Sequence, residues 1–404
     1  MRVIGLMSGT SHDAIDAGAV DLALEGDCLR LTPLGVISRA YDDGLRAALT
    51  AALPPSPTTL ADVCVLDTRI GRAFAAAATE ADRELCDGRA ELIASHGQTV
   101  FHWVADGRVH GTLQIGQPAW IAEATGLPVV ADFRPRDVAA GGQGAPLVSL
   151  VDQLWLRGRP GTPVALNLGG IANITAPDGT AFDTGPANAL IDTAVRELTP
   201  QGRTQGFAYD RDGAIAARGT VNGALLTHLL AEPYYALPAP KTTGKELFHA
   251  AYLREALAGY ASAASGSPGS PLSPEDVVAT LTRLTAVTVA DAVRSVRATE
   301  VVASGGGIRN PTLLAMLRAE LGTGVPVRGS DELGLAPAAK EAYAFAVLGF
   351  LTVHGLPGTV PASTGARHAS VLGSITPGRA GLRLPGDTQG VRAPTRLVVN
   401  GYAH

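Results

Sequence analysis

The sequence predicts an α/β protein of two similar lobes, and three observations lead there. The chain has 404 residues, more than one core of ordinary size accommodates and comfortable for two. Two segments echo each other, each an apolar strand, a glycine-bearing turn and a second strand running back. Helical stretches follow each set of strands, which is the alternation of an α/β fold.

In the first echo, residues 2–7 are apolar and strand-like, Ser8-Gly9-Thr10-Ser11 makes the turn, and residues 14–20 form the return strand. In the second, residues 163–168 lead into Gly169-Gly170, and residues 171–175 lead back. Asp178-Gly179 then marks a further hairpin turn, with Ala181-Phe182-Asp183 as a third strand. Residues 41–53 and 187–198 read as the helices that follow.

Between the echoes, residues 58–85 form an Ala-rich helix. Residues 92–95 read as a short buried strand ending at His96-Gly97-Gln98-Thr99, and residues 127–131 as another ending at Asp132-Phe133-Arg134. Polar residues just past strand ends are where open α/β sheets place their ligands. Gly141-Gly142-Gln143-Gly144 reads as a crossover between lobes, and the Ser-, Gly- and Pro-rich residues 261–274 as a surface loop or flexible insertion. Residues 301–303 form a strand that runs into Ser304-Gly305-Gly306-Gly307, and Asn310-Pro311 opens a helix as cap and first turn. A long apolar helix over 338–351 is expected at the lobe junction. The boundaries that follow are 1–140 for the first lobe (rejoined by part of 350–376), 141–350 for the second, and 377–404 for a loose Gly-, Pro- and Arg-rich tail.

Composition narrows the function. Apolar residues make up 46% of the chain, enough for real cores, and the net charge is −5. That balance excludes a protein that grips nucleic acid or a membrane through a basic surface. It leaves open a local anion site made of backbone amides. Cys28, Cys64 and Cys86 stand far apart with no C-x-x-C pair, which points to free thiols and a reducing compartment. No apolar run approaches the roughly 20 residues of a membrane span, and the first residues read as a strand and turn, without the longer apolar stretch of a signal peptide; the cytoplasm is the expected location.

The chemistry concentrates at the turns. Glycine lets several backbone N–H groups point at a phosphate with no Cβ in the way, so Ser8, Gly9, Thr10 and Ser11 form a candidate phosphate cradle. Asp13 and Asp16 follow, placed to hold Mg²⁺ directly or through water. An ordinary hairpin turn would look the same. There is no G-x-x-x-x-G-K-[ST] loop, and no G-x-G-x-x-G follows the first strand. Gly305, Gly306 and Gly307 give room either for a flat ligand such as adenine or for close helix-to-sheet packing. Asp183, beside Gly185-Pro186 at a strand end, is a candidate general base or else a helix cap. His96, His102 and His110 lack a carboxylate at helical spacing, so metal binding is disfavoured and His96 is expected to bond a substrate or fix a loop.

Longer stretches carry a resemblance. The chain resembles the anhydro-N-acetylmuramic acid kinase family, a branch of the actin-like sugar kinases, through Gly5-Leu6-Met7-Ser8-Gly9-Thr10-Ser11, Ser95-His96-Gly97-Gln98-Thr99 and Gln114-Ile115-Gly116. The match continues through residues 130–134 and 137–148, Asn167-Leu168-Gly169-Gly170-Ile171-Ala172-Asn173, Asp183-Thr184-Gly185-Pro186, Lys241-Thr242-Thr243-Gly244, Gly305-Gly306-Gly307 and Glu341-Ala342-Tyr343-Ala344-Phe345-Ala346. It covers residues 5 to about 375 in family order and implies two actin-like (ribonuclease H-like) lobes with an ATP and substrate cleft between them, ATP with Mg²⁺, and a homodimer.

The implied reaction opens the 1,6-anhydro ring of 1,6-anhydro-N-acetylmuramic acid and phosphorylates O6, a step of peptidoglycan recycling. Asp183 would take the proton of the attacking water; Gly169, Gly170 and Gly305 to Gly307 would serve the nucleotide with the first cradle. His96, Gln98, Thr125, Arg134, Arg136, Asp137, Asn188 and Glu341 are the implied sugar contacts, Arg134 or Arg136 meeting the lactyl carboxylate. Where the family has Leu-Asp-Gly, this chain has His12-Asp13-Ala14, and Ala14 would be strained if its φ had to be positive. The alternatives are a kinase for another anhydro sugar, such as levoglucosan, and a non-catalytic actin-like nucleotide-binding protein.

Overall fold

A computed structural model describes residues 1–9, 12–54, 56–106, 108–199, 209–244, 247–264, 272–382 and 392–401. Two compact units divide the chain: Met1–Gly158 with Leu333–His404, and Arg159–Glu332.

The first unit is organised on a mixed sheet of eight strands among the described residues. These are β1 (Arg2–Ser8), β2 (Ala14–Glu25), β3 (Cys28–Ala40), β4 (Leu92–Ala105), β5 (Arg108–Ile115), β6 (Val129–Ala131), β12 (Ser374–Thr376) and β13 (Arg396–Val399). Their order is β12-β6-β4-β1-β2-β3-β13, with β5 paired to β4. β1, β2 and β3 are antiparallel neighbours, whereas β4 runs parallel to β1 and β6 parallel to β4. Helices α1 (Asp43–Ala52), α2 (Leu60–Leu85), α3 (Pro118–Thr125), α4 (Phe133–Ala139) and α5 (Ser149–Leu156) fall between strands, and α12 (Lys340–Val353) and α13 (Pro361–Thr364) come late in the chain.

Two helices sandwich that sheet. The start of α2 is fixed by a capping box, Thr59 and Asp62 each bonding the other's backbone N–H. Its Leu66, Ile70, Phe74, Ala77 and Ala81 recur at helical spacing and are buried in the core with Ile4, Leu6, Ile15 and Ile93. α12 covers β1, β2 and β4 on the other side and is buried nearly throughout, so it has no amphipathic pattern. It lies so close that a Cβ on Gly5 would overlap the Ala342 carbonyl oxygen. Gly5 is therefore glycine for packing, although it sits in the segment that resembles a phosphate loop.

The second unit repeats the scheme. Its sheet has the order β11-β10-β7-β8-β9, with β7 (Pro163–Leu168), β8 (Ile171–Thr175), β9 (Ala181–Pro186), β10 (Glu300–Ser304) and β11 (Val327–Gly329). Again three antiparallel strands come first, and β10 pairs parallel with β7 and with β11. The helices are α6 (Asn188–Leu198), α7 (Ala214–Arg218), α8 (Gly223–Leu230), α9 (Ala250–Ala264), α10 (Pro274–Ser295) and α11 (Pro311–Leu321). α10 begins on a Ser273/Asp276 capping box with Pro274 in its first turn, and its Ala286, Val289, Ala290 and Val293 pack on Leu166, Ile174 and Phe182. Asn310 caps α11 as expected, its Oδ1 accepting from Leu313 N at 2.9 Å. The same 3-2-1-4-5 strand order in both units makes each of them actin-like.

Several expectations need correction. The units divide at 158/159 and 332/333, not at 140/141 and 350. α5 stays with the first unit because it packs on β13 and its Asp152 pairs with Lys340 of α12. The glycine cluster 141–144 is accordingly no crossover; Gly144 N donates to Asp137 and Gln143 N to the Thr364 carbonyl, all within the first unit. The segment after 377 is not loose throughout, since Arg396–Val399 forms β13 with Leu397 and Val399 buried. The strand at 92–95 runs on to Ala105 and turns into β5. Of the supposed loop at 261–274, residues 261–264 end α9, Pro274 opens α10, and 265–271 lie outside the described residues.

Candidate active site

In the first unit the candidate residues gather at the ends of β1 and β4. Ser8 and Gln98 are buried, and Ser8 Oγ lies 2.9 Å from the Ala14 carbonyl and 2.8 Å from Gln98 Oε1. The Gln98 amide donates to the Gly9 carbonyl at 3.3 Å and the Thr99 carbonyl at 3.2 Å. Tyr41 OH donates to Gln98 Oε1 at 3.3 Å, and the Tyr41 N–H bonds the Asp13 carbonyl at 3.1 Å. Burial pushes the Tyr41 phenol up to about 12, so it remains a donor. Ser8 and Gln98 thus brace the turn from below, with Tyr41 as a third brace that no sequence motif marked. Gly9 faces open space at its α-carbon, while Thr10 and Ser11 lie outside the described residues.

The backbone of the turn corrects one expectation. The left-handed residue is His12, with φ 56°, whereas Ala14 opens β2 in ordinary extended backbone. Asp13 and Asp16 differ in setting: the Asp13 carboxylate is paired with Arg46 at 2.9 Å, and Asp16 lies on β2 opposite Met7. Asp16 is close enough to Glu341 to add to the upward shift of that carboxyl, which burial causes and which Lys340 and Arg134 oppose.

His96 is buried and neutral. Burial and the Arg134 guanidinium hold it well below its ordinary range. Its Nδ1 lies 2.8 Å from the Gly97 carbonyl, and Nε2 accepts from Arg134 Nε at 3.0 Å, which fixes the tautomer. Arg134 also donates to the Gly144 carbonyl at 2.6 Å, and burial lowers it to about 10 against the pull of Glu341 and Asp137. A fixed cation on His96 disfavours metal there, and among the described residues no group of three His, Cys, Asp or Glu could hold a metal ion.

Two other expected sugar contacts are engaged within the fold, and a third lies at the surface. Asp137 is fully buried, Oδ2 accepting from Gly144 N at 2.8 Å and Oδ1 from Thr364 Oγ1 at 2.7 Å, so it braces the glycine loop and offers no oxygen to a ligand. Thr125 closes α3, bonding the Ile121 carbonyl at 2.8 Å and accepting from Leu127 N at 3.2 Å. Arg136 is exposed. Thr364 and Arg367, the latter bonded to the Ala139 carbonyl at 3.2 Å, complete the loop's support from a part of the chain far off in sequence.

In the second unit the Gly169-Gly170 turn feeds the start of α6. The Gly170 carbonyl accepts from Ala187 N and Ala189 N, and the Gly169 carbonyl from Asn188 N. The Asn188 side-chain amide also donates to Gly169 at 2.8 Å and Leu168 at 3.2 Å, which makes it a support of the turn. Gly305 and Gly307 are glycine for packing, because a Cβ on either would press on the end of β7, whereas Gly306 faces open space.

Asp183 stands in β9 five residues before α6, whose cap position is Ala187, so it is not a helix cap. Its Oδ2 accepts from Thr242 Oγ1 at 2.8 Å and Thr243 N at 2.9 Å. Its backbone is held at both groups, N–H to the Lys241 carbonyl at 3.0 Å and C=O from Tyr234 OH at 2.8 Å.

Two units of this strand order, each with a glycine turn at its first hairpin, define the class as an actin-like fold. Residues 1–378 match the family profile for anhydro-N-acetylmuramic acid kinase, and the chain belongs to that family. It is 73% identical over 399 residues to the anhydro-N-acetylmuramic acid kinase of Streptomyces avermitilis, covering 99% of this chain and 100% of that one. The protein of the same name from Rhodococcus erythropolis is 62% identical, covering 95% of this chain and 96% of that one. Among solved structures, component A of the Acidaminococcus fermentans (R)-2-hydroxyglutaryl-CoA dehydratase aligns with a TM-score of 0.43 at 11% identity, covering 87% of this chain and 98% of that one.

Proposed function

We propose that this chain opens the 1,6-anhydro ring of 1,6-anhydro-N-acetylmuramic acid with water and phosphorylates O6 from ATP, giving N-acetylmuramic acid 6-phosphate and ADP. The observation that carries the reading is the Asp183 carboxylate, fixed in β9 by bonds to its side chain and backbone, in a chain of this family. Water attacks C1 as Asp183 takes its proton; the C1–O6 bond breaks, and the electron pair stays on O6. O6 then attacks the γ-phosphorus, and the bond to the ADP oxygen breaks.

An ordinary aspartate with pKa near 3.9 is a weak base toward water, so its proton transfer must be concerted with ring opening. A base contributes on the order of 10²–10⁴-fold, and positioning supplies much of the rest. The turn braced by Ser8 and Gln98 is assigned to phosphate, with Gly9 at its open point. Mg²⁺ would arrive with ATP, to which it adds positive charge beside the phosphates. Asp16 suits a cation of that kind, since a second carboxyl, Glu341, lies near, while Asp13 is engaged by Arg46. Arg136 is assigned to the lactyl carboxylate and Glu341 to the sugar or its water.

The reading extends to the cytoplasm and to a homodimer. Free Cys28, Cys64 and Cys86 support the first, and no described helix is long and apolar enough to cross a membrane. The test of function is ADP release with 1,6-anhydro-N-acetylmuramic acid, Mg²⁺ and ATP, comparing the parent with Asp183→Asn. Turnover that collapses in the variant is expected; a parent enzyme inactive on this sugar would end the reading.

A further inference from the structure

The Lys241-Thr242-Thr243-Gly244 segment has no regular secondary structure, yet Lys241, Thr242 and Thr243 each bond Asp183, and Lys241 is anchored further. Lys241 Nζ donates to the Tyr234 carbonyl at 3.2 Å and the Tyr235 carbonyl at 2.9 Å, and sits 4.8 Å from the centre of the Tyr234 ring. That ring in turn carries the hydroxyl that bonds the Asp183 carbonyl. The cation therefore ties the segment to the turn beneath it, and does not serve as the carboxylate's partner.

With Lys241 placed, the next two residues deliver their donors to one carboxylate oxygen. Two donors on Oδ2, one a side-chain hydroxyl and one a backbone amide, define the rotation of the carboxylate plane as a single contact could not. Thr242 is exposed, so its bond competes with water and adds little to fold stability. What it adds is direction. The β-branch of threonine restricts χ1, so the hydroxyl is held in place before any ligand arrives.

We propose that Thr242 is a positioning residue for Asp183, its hydroxyl acting with the Thr243 amide to present the carboxylate in one orientation to the attacking water. The proposal rests on the reading of Asp183 as the base. A misplacement of about 1 Å at a reacting group can cost about 10²-fold in rate, which sets the scale of the effect.

The experiment uses the full chain with Thr242→Val, Thr242→Ser and Asp183→Asn, measuring ADP release against ATP and sugar separately. Thr242→Val should lower kcat by about 10- to 100-fold, with the KM for ATP within about twofold of the parent and an unchanged melting temperature. Thr242→Ser, which restores the hydroxyl without the branch, should recover most of the rate. If Asp183→Asn is inactive while Thr242→Val keeps the parental kcat, the positioning role is overturned and the base stands. Equal impairment in Thr242→Ser and Thr242→Val would overturn it as well. An Asp183→Asn enzyme as fast as the parent would remove the base, and the proposal with it.

Discussion

Asp152 Oδ1 and Lys340 Nζ lie 2.8 Å apart with side chains only 7% and 3% exposed, so two opposite charges are sealed inside the first unit. The pair joins α5 to α12 and keeps both helices on the sheet that carries the first glycine turn. Burial raises the Asp152 carboxyl, and Lys340 pulls it back toward ionisation.

Lys340→Met should therefore leave a buried carboxylate without its cation and lower stability by about 3–5 kcal/mol. Adding Asp152→Leu should recover most of that loss, because an apolar pair of similar volume needs no desolvation of charge. Urea denaturation checks both, and a single variant as stable as the parent would contradict the sealed pair.

Histidine protonation sets an acid limit. Burial and Arg134 lower His102 from 6.5 to about 4, and His96 is held well below 6.5 by the same two causes. The unfolded chain takes up these protons near 6.5, the folded chain only at lower pH, so the unfolded state binds more protons between the two values. Stability is fully present above about 6.5 and falls as pH drops toward about 4. His102→Gln should flatten that fall relative to the parent, leaving a constant difference above pH of about 7. Denaturation midpoints measured across the window test it; parallel curves would exclude His102 as a contributor.

Arg136→Ala should raise the KM for the acidic sugar by about tenfold or more while leaving the KM for ATP near the parent's, the loss expected for one charge-assisted pair. Equal effects on both substrates would remove Arg136 from the lactyl carboxylate. Separate saturation curves for the two substrates decide.

Much of the architecture was legible because local signals and tertiary structure agree. The Ala-rich run of α2, the Asn310-Pro311 start and the apolar runs of β1 and β7 each carry a short-range cause. Illegible features depend on partners distant in sequence. Arg396–Val399 is too short to read as a strand until β3 stands beside it. Asp137 looks like a ligand contact until Thr364 and Gly144 are seen to occupy its oxygens. Gly5 looks like part of a phosphate loop until α12 is laid against it. At the candidate site, Asp183 is proposed from its motif, whereas the Thr242 hydroxyl that bonds it lies 59 positions along the chain and leaves no local pattern.

The placement of α12 has a consequence for how the chain is made. The second unit is one uninterrupted stretch, Arg159–Glu332, whereas the helix that covers β1, β2 and β4 is encoded only after it. On the ribosome, the second unit has all its parts while the first still exposes one apolar side of its sheet. At roughly 5–20 residues per second, that side waits about 10–40 s between the emergence of α5 and that of α12. Of the two units, the one whose strands emerge earlier is thus completed later, and until α12 follows, those strands are the apolar surface open to misassociation.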